Sequence, residues 1–261
     1  MELNFLNYLY KEKYLSFSIK KETITGLTGT NLNGIIDLIS LKYLYKGQLF
    51  IDDIKVTKDN IYEYRRRISL IEDHLIAKEP TVLTLMTAHI KRNNLTIKDP
   101  DKKIRDSLKI VDLKEEILSR SLYTLSASEK KLLQIAISLL SNPSLLILVE
   151  PFKELDKHNE KKVLMLLQRL KDQFKKTILI VSIDSNILYK YTTEMIFIKN
   201  ENIFLVGPTN DVYLRVDYLK RNKFEIPDIV EFTYTAKKKK AIKIEYHKDI
   251  RDIIKDIYKH I

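Results

Sequence analysis

The sequence predicts an α/β protein with a mostly parallel sheet, and three consecutive segments in its second half indicate this class. Ser126–Leu140 reads as a helix, because Glu129 completes a capping box with Ser126 and apolar residues recur at helical spacing until Asn142. Leu145–Val149 is wholly apolar, as expected of a strand buried on both faces. Lys161–Lys171 follows as an amphipathic helix.

Composition bounds the class of protein. With 261 residues, 44% of them hydrophobic, the chain is long enough for a large buried core. It has no cysteine, and its five histidines show no paired ligand spacing, so we expect no metal site. The start of the chain lacks a signal-like pattern, and no run approaches the roughly 18 apolar residues of a membrane span. We therefore expect a cytoplasmic protein.

The chain is basic, with a net charge of +11, which admits either a nucleic-acid partner or an anionic membrane surface. The abundance of Lys, Ile, Asn and Tyr together favours a general compositional bias instead. The basic run Ala236–Lys240 lacks the interleaved aromatic residues of a surface that binds single strands. We expect no nucleic-acid partner.

The helix, turn, strand and acidic residue of Ser121–Asp156 resemble the core of the ABC-transporter ATPases, in which an LSGGQ signature begins the helix and an LLILDEP strand ends in two acidic residues. The signature is altered here to Ser126, Ala127, Ser128 and Glu129. The two glycines that let backbone amides approach a phosphate are gone, and a glutamate replaces the glutamine. Val149 stands at the position of the acidic residue that supports Mg²⁺ in the family. The catalytic glutamate is kept as Glu150, which we interpret as vestigial.

A Walker A-like loop lies upstream and has the Gly-x-x-x-x-Gly spacing whose backbone amides cradle phosphates. Its residues are Gly29, Thr30, Asn31, Leu32, Asn33, Gly34, Ile35 and Ile36. In the family, a lysine and a Ser/Thr follow the second glycine, and neither Ile35 nor Ile36 can replace them. Taken alone, the segment also suits a plain strand-to-helix turn with Asn33 as the helix cap.

Other segments match the family in order. Tyr8 or Tyr10 lies where an adenine-stacking aromatic is expected, although packing in an edge strand explains either residue as well. Glu72 or Asp73 replaces the glutamine of the Q-loop. The pair Leu155–Asp156 matches the D-loop. Further matches are Gly47–Ile51, the switch-histidine position at Ile183, and the closing hairpin and helix start of Met195–Tyr213.

The resemblance implies a P-loop NTPase fold of RecA-like type, with an N-terminal antiparallel sheet and a helical subdomain. It implies an ABC ATPase-like domain over residues 1–213, with the helical subdomain at about 74–142 and helix-like segments at Val82–Lys91 and Lys102–Leu113. Residues 214–261 resemble the C-terminal extension of energy-coupling factor transporter ATPases, in which an Ile-Pro turn precedes a helix.

Three functions follow as alternatives. The first is a non-catalytic subunit, peripheral on the inner face of the membrane, that pairs with another ATPase subunit and docks on an integral membrane subunit; it needs no ATP or Mg²⁺ as cofactor. The second is a weak ATPase that uses Glu150 and still binds Mg-ATP. The third is a basic nucleic-acid-associated protein. Four positions that are polar in the family are occupied here by Ile35, Ile36, Val149 and Ile183. This replacement favours the non-catalytic subunit.

Overall fold

The structure is a computed structural model that describes residues 1–44, 46–75, 78–240 and 245–259. Its strands are β1 (Leu3–Tyr10), β2 (Lys13–Ile19), β3 (Ile24–Gly29), β4 (Gln48–Ile51), β5 (Ile54–Lys55), β6 (Ile68–Ile71), β7 (Leu145–Val149), β8 (Thr177–Val181), β9 (Glu194–Lys199) and β10 (Asn202–Pro208). Its helices are α1 (Asn33–Ile39), α2 (Ile61–Arg66), α3 (Val82–Arg92), α4 (Pro100–Ile110), α5 (Ala127–Leu139), α6 (Lys157–Asp172), α7 (Ser185–Tyr191), α8 (Thr209–Tyr213), α9 (Val216–Arg221), α10 (Asp228–Lys240) and α11 (Ile250–Lys259).

A six-stranded sheet forms the centre of the molecule, in the order β10-β9-β3-β8-β7-β6. All its neighbouring strands run parallel except β10, which returns antiparallel to β9. Strand β7 pairs with β8 in register from Leu145 opposite Thr177 to Val149 opposite Val181. Both strands are buried along almost their whole length, as their continuous apolar sequences predict. The α/β class is thereby confirmed.

A second sheet has the order β2-β1-β4-β5 and is antiparallel throughout. Leu3, Phe5, Tyr8 and Tyr10 of β1 point into a core that this sheet shares with α1 and one face of the central sheet, and the alternation shifts by one residue at an irregularity between Phe5 and Tyr8. The rings of Phe5 and Phe17 stack there at 4.5 Å between centroids. This is the N-terminal antiparallel sheet that the family resemblance implies.

The helical region between β6 and β7 contains the predicted helices with small differences at their ends. Helix α3 begins at Val82 as predicted and extends to Arg92. Helix α4 begins at Pro100, because the Asp99 carboxylate caps it by accepting from the Lys102 amide. It ends at Ile110, before the predicted Leu113, because the chain turns at Asp112, whose φ is 58°.

The C-terminal segment packs on the same core as the central sheet. Val216, Leu219 and Val230 are buried in the cluster that also contains the sheet residue Phe197. Helix α10 begins directly after Ile226 and Pro227, as the Ile-Pro turn predicts. The division at residue 213 stays a prediction; the proposed subdomain includes residues 76–77, and the proposed extension includes 241–244 and 260–261, all outside the described residues. No described helix combines the length and the apolar character that a bilayer span requires.

Candidate functional site

The Walker A-like loop connects β3 to α1 at the carboxyl edge of the central sheet. Gly29 has a φ of 141°, and a Cβ there would lie 2.0 Å from the Ile198 carbonyl oxygen of the neighbouring strand, so the close strand pairing requires glycine. Asn31 is also left-handed, at 57°. The helix begins at Asn33 after the N-cap Leu32, which offers no side-chain acceptor. The prediction that Asn33 caps α1 is therefore wrong, because Asn33 already lies in the first turn.

The residues at the lysine and Ser/Thr positions are part of the core. Ile35 is fully buried and Ile36 is 6% exposed, both in the cluster below the N-terminal sheet. Tyr8 and Tyr10 are buried in the same cluster, as the packing interpretation predicts, but β1 is an inner strand paired with both β2 and β4, so the prediction of an edge strand is wrong. A Cβ built on Gly34 would lie 1.6 Å from the Tyr10 hydroxyl oxygen. The tyrosine therefore lies directly against the loop, a contact that no sequence spacing signals.

Glu150 follows β7, and both its carboxylate oxygens accept hydrogen bonds from the segment after β8. The Ser182 hydroxyl donates to Oε2 at 2.8 Å, and the Ile183 amide donates to Oε1 at 2.9 Å. The Glu150 backbone is left-handed, at 45°, and its amide donates to the Val181 carbonyl. Ile183 itself is 70% exposed. The structure thus joins two predicted site positions by hydrogen bonds, and sequence reasoning missed Ser182.

The signature-like segment Ser126–Glu129 forms the capping box that the sequence predicts. The Ser126 hydroxyl accepts from the Glu129 amide, and the Glu129 carboxylate accepts from the Ser126 amide at 2.8 Å. Its other oxygen meets the Arg120 guanidinium at 2.5 Å. Partial desolvation opposes the ionised form of Glu129, but the Ser126 amide and Arg120 outweigh it and lower the pKa of that carboxyl. Helix α5 then starts at Ala127, and Ser128 lies 3.2 Å from Ser126 between hydroxyl oxygens.

Glu72 and Asp73, the Q-loop-like segment, are bound to α5 through their backbone carbonyls. Gln134 donates to the Glu72 carbonyl at 3.1 Å, and the Lys131 ammonium donates to the Asp73 carbonyl at 2.9 Å. The Asp73 carboxylate pairs with Lys153 at 2.7 Å. Burial lowers the pKa of Lys131, which is 5% exposed. Which of the two acidic residues replaces the glutamine stays open, since both are attached to the same helix.

A groove of about 240 Å³ lies beside this segment. We call it the Q-loop-like groove; it is lined by Ser69, Leu70, Ile71, Glu72, His74, Leu75, His89, Gln134, Ile137 and Ser138. Burial, and secondarily the charge of Arg92, lower the pKa of His89. The groove lies between β6, α3 and α5.

The D-loop-like pair has a local structural role. Asp156 caps α6 by accepting a hydrogen bond from the Asn159 amide at 2.8 Å. Leu155 packs against the hydrophobic cluster that contains Phe197. The amide bond from Asn159 is the main reason why the pKa of Asp156 is lowered.

These residues do not match the chemistry of Mg-ATP. A triphosphate needs cationic or amide donors, and Mg²⁺ needs oxygen ligands in near-octahedral geometry. Ile35, Ile36, Val149 and Ile183 stand at the positions of the family's lysine, Ser/Thr, Mg²⁺-supporting acidic residue and switch histidine. The carboxylate of Glu150 accepts two hydrogen bonds from within the chain. Among the described residues, no group of three or more His, Asp or Glu side chains is arranged to hold a metal ion.

Comparison with known proteins identifies the family of the chain. The model of the ABC transporter family matches residues 13–153, more than half of the chain. The chain belongs to the ABC transporter family. It is a subunit of the ATP-binding type, similar to an energy-coupling factor transporter ATP-binding protein of Oenococcus oeni, with 28% identity over 91% of this chain and 90% of that protein.

Solved structures share the fold. The cbiO1 protein of Clostridium perfringens, part of the ABC transporter complex cbiONQ, superimposes with a TM-score of 0.71 at 20% identity, over 89% of this chain and 98% of that one. A bacterial ABC transporter cassette, solved as a dimer, gives a TM-score of 0.65 at 20% identity, over 79% of this chain and 98% of that one. The P-loop NTPase fold of ABC ATPases is thus confirmed.

Proposed function

We propose that this chain is a non-catalytic ATPase-type subunit of an ABC transporter, of the energy-coupling factor kind. It pairs with a second ATPase subunit and docks on an integral membrane subunit. The observation that carries this proposal is the burial of Ile35 and Ile36 in the hydrophobic core below the N-terminal sheet. The sequence has kept the packing of the fold while replacing the groups that bind phosphate and metal.

The altered positions weaken the binding of Mg-ATP, a step that precedes hydrolysis. Each charge-assisted hydrogen bond contributes roughly 1.5–3 kcal/mol. Loss of the lysine contact and of the hydroxyl and aspartate support to Mg²⁺ then removes about 5–8 kcal/mol, equivalent to about four to six decades of affinity. The hydrogen bonds that Glu150 accepts from Ser182 and Ile183 also weigh against a weak ATPase, because they hold the carboxylate that would act as general base against the segment after β8.

Calorimetric titration with Mg-ATP tests this proposal. We expect no binding at millimolar nucleotide and no change in the thermal unfolding midpoint, because a ligand that binds only the folded state must raise that midpoint. A dissociation constant in the micromolar range would overturn the non-catalytic assignment.

The partner ATPase subunit is proposed to be a different chain and not a second copy of this one. A homodimer would place this chain's altered loop opposite its own altered signature at both nucleotide sites, leaving no charged Walker A lysine in the assembly. A heterodimer with an intact ATPase supplies one. The bacterial cassette of the same fold, which was solved as a dimer, supports pairing as such.

The membrane subunit is proposed to bind the Q-loop-like groove through a short helix. Leu70 lies exposed in this groove, whereas Met165 lies exposed on α6 outside it. We expect Leu70→Glu to abolish co-purification of an integral membrane protein from native membranes, and we expect Met165→Glu, the matched control, to retain it. If both variants still co-purify with an integral membrane protein, docking lies elsewhere. If the unmodified chain co-purifies with no integral membrane protein, a soluble regulatory role is favoured.

A further inference from the structure

The contact between Tyr10 and Gly34 explains why a glycine stands in the first turn of α1. Gly34 is not left-handed, since the positive φ values among glycines are those of Gly29 and Gly47. Its backbone would therefore accept an ordinary residue. A Cβ at this position would lie 1.6 Å from the Tyr10 hydroxyl oxygen and 2.7 Å from the Cζ atom of the same ring. Glycine is required here by the tyrosine.

Both the backbone and the side chain of Tyr10 are fixed by their surroundings. It ends β1 and pairs with Lys13 across a turn in which Lys11 and Glu12 are both left-handed. Its side chain is 2% exposed. The ring belongs to the core cluster that contains Ile35, one residue after Gly34. A side chain with this degree of burial cannot leave the loop without disturbing the core.

We propose that Tyr10 is an internal clasp that takes the space beside Gly34 and keeps the Walker A-like loop folded without nucleotide. In glycine-rich phosphate loops, the missing side chain lets the backbone approach a phosphate. In this chain the space beside the glycine is filled by a phenol from the N-terminal sheet. This inference rests on the proposed function and deepens it, because a subunit that takes no nucleotide needs another group to order its loop.

A double-mutant cycle in the absence of nucleotide tests the clasp. Gly34→Ala is expected to lower the thermal unfolding midpoint of the unmodified chain by several degrees, since the Tyr10 ring must move. In a Tyr10→Ala background the same substitution is expected to leave the midpoint unchanged or to raise it, because alanine is the better helix former. Equal, additive losses in the two backgrounds would overturn the clasp.

Hydrogen exchange reports on the loop directly. We expect the amides of residues 30–36 to exchange about tenfold faster in Tyr10→Ala than in the unmodified chain. Tyr8→Phe is the control, because it removes a buried hydroxyl from the same strand without touching Gly34. Unchanged exchange at residues 30–36 in Tyr10→Ala would contradict the proposal.

A milder variant covers the case in which Tyr10→Ala does not fold. Tyr10→Phe keeps the ring and removes only the oxygen nearest to Gly34, so Gly34→Ala should cost less in that background than in the unmodified chain. An equal cost would refute the clasp. Calorimetry separates the two proposals: Mg-ATP binding by the unmodified chain refutes the non-catalytic function, whereas an additive cycle with no ATP binding refutes the clasp alone.

Discussion

Restoring the glutamine of the signature, Glu129→Gln, is expected to destabilise this protein. Glutamine can still accept the Ser126 amide and so retains the capping box. It loses the charge that Glu129 presents to the N-terminus of α5 and to Arg120 at 2.5 Å. The helix-dipole contribution is about 0.3–1 kcal/mol, and a partly exposed ion pair adds about 0.2–1 kcal/mol. We therefore expect a loss of about 1 kcal/mol.

The assay is thermal unfolding of the unmodified chain and of Glu129→Gln over a range of pH. For a domain of this size, about 1 kcal/mol corresponds to a fall of about 2–4 °C in the midpoint. Since the pKa of Glu129 is lowered in the folded state, its contribution is present above the ordinary glutamate pKa and is lost as the pH falls through the lowered value. The difference between the two proteins should therefore shrink in acid.

Ser126→Ala provides the matched control, because it removes the hydroxyl half of the capping box and leaves the Glu129 charge. Its cost of about 1 kcal/mol should depend less on pH than that of Glu129→Gln, because the Ser126 hydroxyl lowers the pKa of Glu129 less than the Ser126 amide and Arg120 do. If Glu129→Gln matches the unmodified chain in stability, or if its deficit is the same at pH 7 and pH 3, the charge of Glu129 contributes nothing and the reasoning fails.

Three further substitutions test other parts of the site. Glu150→Ala is expected to cost about 1–2 kcal/mol in urea unfolding, because it leaves the Ser182 hydroxyl of a buried residue without its acceptor, whereas water can replace the acceptor of the exposed Ile183 amide; a neutral result would contradict this. Ile35→Lys is expected to give no ATP turnover and to lower stability by more than about 2 kcal/mol, because the position is fully buried; phosphate-release assays and unfolding decide. Lys131→Met is expected to change stability by no more than about 1 kcal/mol at pH 7, since the lost bond to the Asp73 carbonyl is offset by relief of a buried charge. Because the folded-state pKa of Lys131 is lowered, the unmodified chain should gain stability relative to Lys131→Met as the pH rises towards 10.5.

Much of the fold was predictable because its elements carry local signals. The limits of β7 were predicted to the residue, since its apolar run is bounded by a turn and an acidic residue. The capping box at Ser126 was predicted for a similar reason: its partners lie three residues apart. Helix α11 was not predicted, although Ile250 and Ile254 recur at helical spacing along it.

The site contained features that no local pattern could predict. Tyr10 meets Gly34 only because β1 and α1 share a core. Glu150 meets Ser182 only because β7 and β8 are neighbours in the sheet. Both contacts depend on tertiary packing between distant segments, whereas the altered motif positions were evident from the sequence itself.

The place of β3 in the central sheet has a consequence for synthesis. This strand, complete by Gly29, lies between β8 and β9, whose residues begin at Thr177 and end at Lys199. The Met1 carbonyl likewise accepts from the Thr177 hydroxyl. During translation β3 therefore lacks both of its neighbouring strands until most of the polypeptide has left the ribosome, whereas the strands of the N-terminal sheet pair with one another. Such non-local pairing slows folding and exposes unpaired strand edges. Nascent chains of this protein should depend on chaperones until Lys199 has emerged.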